Sequence, residues 1–176
     1  MERSNGESQV AFRGRVLSVR VDPVVAKSGP TTREVVERPS AVAIVAETDA
    51  HEVVVIRQFR WAVGQFLYEL PAGVVDPGEA PLAAAKRELA EETGYRAREW
   101  APVYHYFVSP GYSTEVVHLY QARSLTPGEA HGDPDEDIQV ELWTKSQAIE
   151  KIRQGFVQNG ILLMGLQWWL KGATGV

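Results

Sequence analysis

Residues 73–95, GVVDPGEAPLAAAKRELAEETGY, constrain the fold more than any other stretch of the chain. Pro81 suits a first helical turn and Gly94 suits the left-handed residue that ends a helix, so the spacing predicts a helix over about 81–93. On an ideal helix Glu88, Glu91 and Glu92 lie within about 100° of one another. Leu82, Ala85 and Leu89 make a neighbouring apolar stripe, which should face a core. The helix must therefore pack on other elements while carrying three carboxylates along the edge of its buried side. Glu88 and Glu92, one turn apart, repel by a few tenths of a kcal/mol, so positive charge has to offset them. Lys86 and Arg87 can do this as an ordinary solvated face. A divalent ion held by carboxylate oxygens, Mg²⁺ or Mn²⁺, can do it as a site.

The rest of the chain alternates short strand patterns with helices. Two β runs, Phe12–Val21 and one ending near Glu37, are punctuated by Pro23, Gly29 and Pro30. Ser40–Ala46 and Glu52–Gln58 are apolar and β-branched, as buried strands are, and Gln65–Leu70 is a further strand stopped by Pro71. Strands are expected again at Val103–Val108, Val116–Ala122 and Ile138–Thr144. The Thr126–Asp137 loop between the last two is acidic and Gly/Pro-containing, the composition of a mobile lid. Two helices close the chain, Gln147–Arg153 before Gly155 and Gly160–Leu170 capped by Asn159. Strands with one central helix and two at the end predict an α/β sandwich. Residues 1–9 read as a flexible tail, 10–37 as an N-terminal β-rich segment and 38–176 as the main domain.

Composition removes several alternatives. With no cysteine there is neither a disulfide framework nor a thiolate metal site, which fits a reducing, cytoplasmic setting. The longest apolar run near the C-terminus, Ile161–Leu170, is too short to cross a bilayer, and residues 1–9 lack the apolar stretch of a signal peptide. A formal net charge of −5 argues against a nucleic-acid backbone as partner. His51, His105, His118 and His131 share no spacing suited to zinc. Trp168 and Trp169 read as core or subunit contacts, whereas Trp61, just after Arg60, could touch a substrate.

Gly73, Glu79, Arg87, Glu88, Glu91, Glu92 and Gly94, with apolar Leu89 and Tyr95, fall on every fixed position of the Nudix box. That box runs Gly, five residues, Glu, seven residues, then Arg-Glu-apolar-any-Glu-Glu-any-Gly-apolar. The chain therefore resembles the Nudix hydrolase superfamily. Residue chemistry agrees: Gly73 permits a tight turn, the Ala72 carbonyl offers an oxygen, and Arg87 can grip Glu79 in bidentate fashion. The segments RQFR (57–60), LYELPAG (67–73), FVSPGYSTEVVHLY (107–120) with Pro110, DEDIQVELW (135–143) and LQWWL (166–170) resemble the ADP-ribose pyrophosphatase branch.

The resemblance implies a Nudix α/β/α sandwich with a mixed sheet, preceded by the N-terminal β-rich segment. It implies Mg²⁺-dependent (Mn²⁺ being possible) hydrolysis of ADP-ribose to AMP and ribose 5-phosphate. Ala72, Glu88, Glu91 and Glu92 would hold the metal, with Arg87 ordering them. Arg60, Glu69, Ser109, Gly111 and Glu115 would contact substrate, and Arg15, Val16 and Glu34 would help to bind the nucleoside, the match being weakest there. Thr114 stands where an acidic residue often precedes the family's glutamate. Glu136 would be the general base, with Glu91 or Glu115 as alternatives. Similar enzymes are homodimers whose N-terminal strands reach the partner. Rival readings are a GDP-mannose or other nucleotide-sugar pyrophosphatase, a mutagenic-nucleotide or RNA-cap hydrolase, and a non-catalytic Nudix ligand sensor.

Overall fold

A computed structural model describes residues 1–132 and 137–172. The chain gathers into two compact units, Met1–Ala41 with His105–Val117, and Val42–Tyr104 with the chain from His118 onward.

The first unit is built on four strands, β1 (Arg3–Ser4), β2 (Gln9–Arg13), β3 (Ser18–Ala26) and β4 (Gly29–Glu37). β3 pairs antiparallel with β4 along its whole length, from Ser18 opposite Glu37 to Ala26 opposite Gly29. Its other edge takes two short strands in turn, β2 opposite Ser18–Val21 and β1 opposite Val24 and Val25. Pro23, expected to break the chain, lies inside β3. It has no N–H to donate, and it falls in the gap between the two short strands, where no ladder bond is asked of it. Its carbonyl accepts from the Asn5 N–H at 2.9 Å. Part of the segment expected to be a loose tail is thus paired to β3.

Among its described residues the second unit holds most of two sheets. One has the strand order β8 (Ala72–Val74), β5 (Ala41–Ala46), β10 (Val116–Thr126), β9 (Arg96–Phe107). The other is antiparallel, with β6 (Val53–Arg60) between β11 (Gln139–Trp143) and β7 (Gln65–Glu69). Among its described residues three α-helices complete it, α1 (Pro81–Thr93), α2 (Lys145–Arg153) and α3 (Gly160–Lys171). β5 explains the layering. Alternate side chains of a strand point to opposite faces, and Val42, Ile44 and Ala46 pack with Ala84, Ala85 and Leu89 of α1. Val45 points the other way, where α3 approaches so closely that a Cβ on Gly165 would lie 3.1 Å from it and 2.5 Å from Leu70. A sheet buried on both faces needs this continuous apolar run. The architecture is an α/β/α sandwich.

Local differences from the sequence reading have physical causes. β9 starts at Arg96, well before the expected Val103, because it is an outer strand of its sheet and tolerates Arg96, Arg98 and Glu99 on an exposed edge. α2 starts at Lys145 because Thr144 and Gln147 form a capping box, which moves the first turn back. The buried residues of α1 are Ala84, Ala85, Leu89 and Glu92, while Leu82 is exposed. The helix is therefore rolled so that a carboxylate, not the first leucine, enters the core face. Among the described residues no helix is long and apolar enough to cross a membrane.

α2 is tied to the antiparallel sheet by one cation. Lys151 Nζ lies 4.4 Å from the Tyr68 ring centre, 4.9 Å from Trp143 and 5.7 Å from Phe156. It also donates to the Tyr68 hydroxyl at 3.2 Å and lies 3.7 Å from Glu141. Cation–π contacts of this kind contribute about 0.5–2 kcal/mol. Lys151→Met, which keeps the stem but removes the charge, should lower stability by about 1–2 kcal/mol in urea unfolding. An unchanged midpoint would show the cation to be immaterial.

Candidate active site

β8 and α1 build the centre of the site. α1 begins with Pro81 at its first position and ends at Gly94 in the left-handed conformation, φ 74°. Glu92 is 7 % exposed, and its Oε2 accepts the Ala72 N–H at 2.8 Å, pinning strand to helix. Glu88 lies against the same strand: a Cβ at Gly73 would collide with its carboxylate. Gly73 has no positive φ, so this glycine is needed for space and not for a special backbone conformation.

Arg87 organises the acids. Its Nε and Nη2 donate to the two oxygens of Glu79 at 3.2 and 3.0 Å, the bidentate grip expected. Nη1 donates to Glu88 at 2.6 Å and to Glu91 at 3.1 Å, and Nη2 also reaches the Val74 carbonyl at 3.0 Å. Bonding to Glu79 first, then to Glu88 and Glu91, raises the Arg87 pKa, against the opposing effect of burial. The same guanidinium holds the Glu79 carboxyl below its usual range.

These contacts alter one expectation. Among the described residues no three His, Cys, Asp or Glu side chains converge as a ready metal cage. Glu88 and Glu91 are drawn to Arg87 and Glu92 to the Ala72 N–H, so the three share a helix edge without meeting at a point. The donor set still fits a divalent cation. Its oxygens are hard ligands, and Glu88 and Glu92 are held almost out of solvent, where a cation would offset their charge. Glu91 is the exposed member, at 42 %.

Gly73→Ala tests the close approach. The methyl group must push the Glu88 carboxylate aside, and misplacing a catalytic group by about 1 Å can cost about 10²-fold. kcat/KM should fall by about that factor with the circular dichroism spectrum unchanged. Activity within about threefold of wild type would mean Glu88 can act from elsewhere.

On the β6–β7 hairpin Arg60 and Glu69 are brought together. Arg60 Nε and Nη2 donate to Glu69 Oε1 and Oε2 at 2.8 and 2.6 Å, and Glu69 is 5 % exposed. Trp61 follows Arg60 and is 90 % exposed, with Phe59 edge-on at 6.3 Å. Trp169 is buried, in keeping with a core role.

The first unit holds the remaining site residues. The loop carrying Ser109 and Gly111 is zipped to the end of β4 by Val36 N–H to the Tyr112 carbonyl, 2.7 Å, and Thr114 N–H to the Val36 carbonyl, 3.0 Å. Thr114 Oγ1 accepts the Arg38 N–H at 3.1 Å, so it serves the loop's backbone. Glu115 is paired with Arg38 at 3.2 Å. Arg38 was not legible as a site residue, since nothing in its local sequence announces a partner so far along the chain. Arg15 and Val16 line a cavity of about 390 Å³ together with Arg13, Glu37 and Arg38. Glu34 is not among its lining residues; it sits on β4 opposite Val21. Glu136 lies outside the described residues.

A strand–loop–helix unit whose arginine orders the helix carboxylates, set in an α/β/α sandwich, defines the class of protein. The NUDIX domain profile matches residues 37–161, and the chain belongs to the NUDIX family. The chain is 34% identical to the methanol dehydrogenase activator of Bacillus methanolicus, over 95% of this chain and 92% of that protein. It is 37% identical to the ADP-ribose pyrophosphatase of Bacillus subtilis (strain 168), over 80% and 76%. It is 36% identical to the GDP-mannose pyrophosphatase of Cronobacter sakazakii, over 77% and 75%. A crystal structure of an ADP compounds hydrolase superposes with a TM-score of 0.83 at 24% identity, covering 97% of this chain and 95% of that one, which shows a shared fold.

Proposed function

We propose that this protein hydrolyses the diphosphate bridge of ADP-ribose, releasing AMP and ribose 5-phosphate, with Mg²⁺ or Mn²⁺ as cofactor. The observation that carries this reading is the Arg87-ordered set of Glu79, Glu88 and Glu91, with Glu92 of α1 pinned beside it to the Ala72 N–H of β8. Likeness to an ADP-ribose pyrophosphatase over most of the chain supports the substrate class.

Glu88, Glu91, Glu92 and the Ala72 carbonyl would hold the cation. When bound, the cation supplies Lewis acidity that offsets the negative charge growing on the phosphoryl oxygens. The oxygen of water forms a bond to one phosphorus, the bridging P–O bond breaks, and the bridging oxygen leaves on the other phosphate. Glu136 would take the proton that water gives up. Of the alternative bases, Glu91 is ion-paired with Arg87 at 3.1 Å and Glu115 with Arg38 at 3.2 Å. Arg60, its Nε and Nη2 donating to Glu69, carries a guanidinium charge suited to phosphate oxygens. The N-terminal β-rich segment, with Arg15 and Val16, would complete the nucleoside pocket in a homodimer. Sedimentation that finds only monomers would overturn the dimer.

One assay decides the substrate. Release of AMP from ADP-ribose should depend on Mg²⁺ and exceed turnover of GDP-mannose and of a nucleoside triphosphate. A GDP-mannose relative of similar identity makes that sugar nucleotide the competing reading, and preferential turnover of GDP-mannose would replace the first. Turnover of none of the three would favour a non-catalytic ligand sensor.

A further inference from the structure

We propose that the outer side of α1 carries an anion site, formed by Lys86, Arg96 and His131, that binds a phosphate group. A cavity of about 340 Å³ is lined by these three with Arg87, Ala90 and Glu91. That volume lies at the lower end of small-molecule sites, about 300–1,000 Å³. Lys86 and Ala90 are one turn apart and share a face of α1, and Arg96 is the first residue of β9 just beyond the helix.

His131 enters the lining at the end of a segment docked on α1 through its backbone. The His131 N–H donates to the Glu91 carbonyl at 3.2 Å, and Gly94 meets residues 128–130 so tightly that a Cβ there would lie 2.5 Å from the Gly128 carbonyl oxygen. The backbone of His131 is thereby anchored, with the residue in the same lining as the two cations.

Charge decides what the cavity takes. Arg87 is committed to Glu79, Glu88 and Glu91. Lys86 and Arg96 enter no ion pair among the described residues. Among the described residues Glu91 is the one acid in the lining, and it already shares its charge with Arg87 at 3.1 Å. Two cations without an ion pair among the described residues and an imidazole, lining one cavity, suit a compact phosphate dianion. A polyanion would meet a protein of net charge −5 and a cavity too small for its backbone. Free phosphate and a phosphate monoester offer the same group, so the test uses both.

The metal-free, full-length protein would be titrated with inorganic phosphate and, separately, with ribose 5-phosphate at matched ionic strength, following backbone amide shifts by NMR. Saturating shifts are expected at Ala90, Arg96 and His131, and the ligand that binds more tightly names the source. In Lys86→Ala/Arg96→Ala affinity should fall about tenfold or more, while Lys86→Arg keeps it. Both residues lie outside the machinery assigned above, so the double variant should hydrolyse ADP-ribose at the wild-type rate in phosphate-free buffer. Failure of this site is therefore distinct from failure of the hydrolase reading. Shifts that grow linearly without saturation, or equal affinity in the double variant, would overturn the proposal.

Discussion

Glu92→Gln is expected to lower kcat on ADP-ribose by about 10²–10³-fold or more while the protein stays folded. The substitution is nearly isosteric. Glutamine keeps an oxygen that can accept the Ala72 N–H, so the link between β8 and α1 survives. What is lost is one negative charge at a position 7 % exposed, where a charge acts through little solvent. Removing it also relieves repulsion with Glu88 one turn earlier, so thermal stability should hold or rise slightly. A metal ligand has a further mark: its loss weakens Mg²⁺ binding along with rate. Steady-state kinetics across a range of Mg²⁺ concentrations would show both effects. Retention of more than about a tenth of the wild-type rate at saturating Mg²⁺ would remove Glu92 from the ligand set.

Glu136→Gln should depress kcat by about 10²–10⁴-fold with little change in KM, the pattern of a lost general base that does not hold the ground state. Mg²⁺ affinity should be untouched, because the proposed ligands lie on β8 and α1. That separates the two roles by titration. Glu91→Gln is the necessary companion, since Glu91 is the exposed carboxylate of the helix. A near-normal kcat for Glu136→Gln with a collapsed one for Glu91→Gln would move the base from the loop to the helix.

Much of the site could be read without coordinates because it is local. The ends of α1 follow from Pro81 and Gly94, and the common edge of Glu88, Glu91 and Glu92 follows from helical repeat alone. The grip of Arg87 on Glu79 was legible because the two lie a short loop and two turns of helix apart, with complementary charge. Buried strands were legible from unbroken β-branched runs such as AVAIVA.

What the sequence could not determine depends on partners distant in the chain. The roll of α1, which buries Glu92 and leaves Leu82 exposed, is set by the sheet beneath it and by the Ala72 N–H. Pro23 reads as a break until two separate short strands are seen to leave a gap opposite it. Arg38 gains its role from Glu115, and Arg60 is held by Glu69 across a hairpin. In each case a local preference of a few tenths of a kcal/mol to about 1 kcal/mol competes with burial and charge pairing worth more, and only the assembled fold supplies those terms. The sequence by itself determined which residues are candidates for the chemistry; tertiary structure decided how the described ones are held, because several of their partners lie far along the chain.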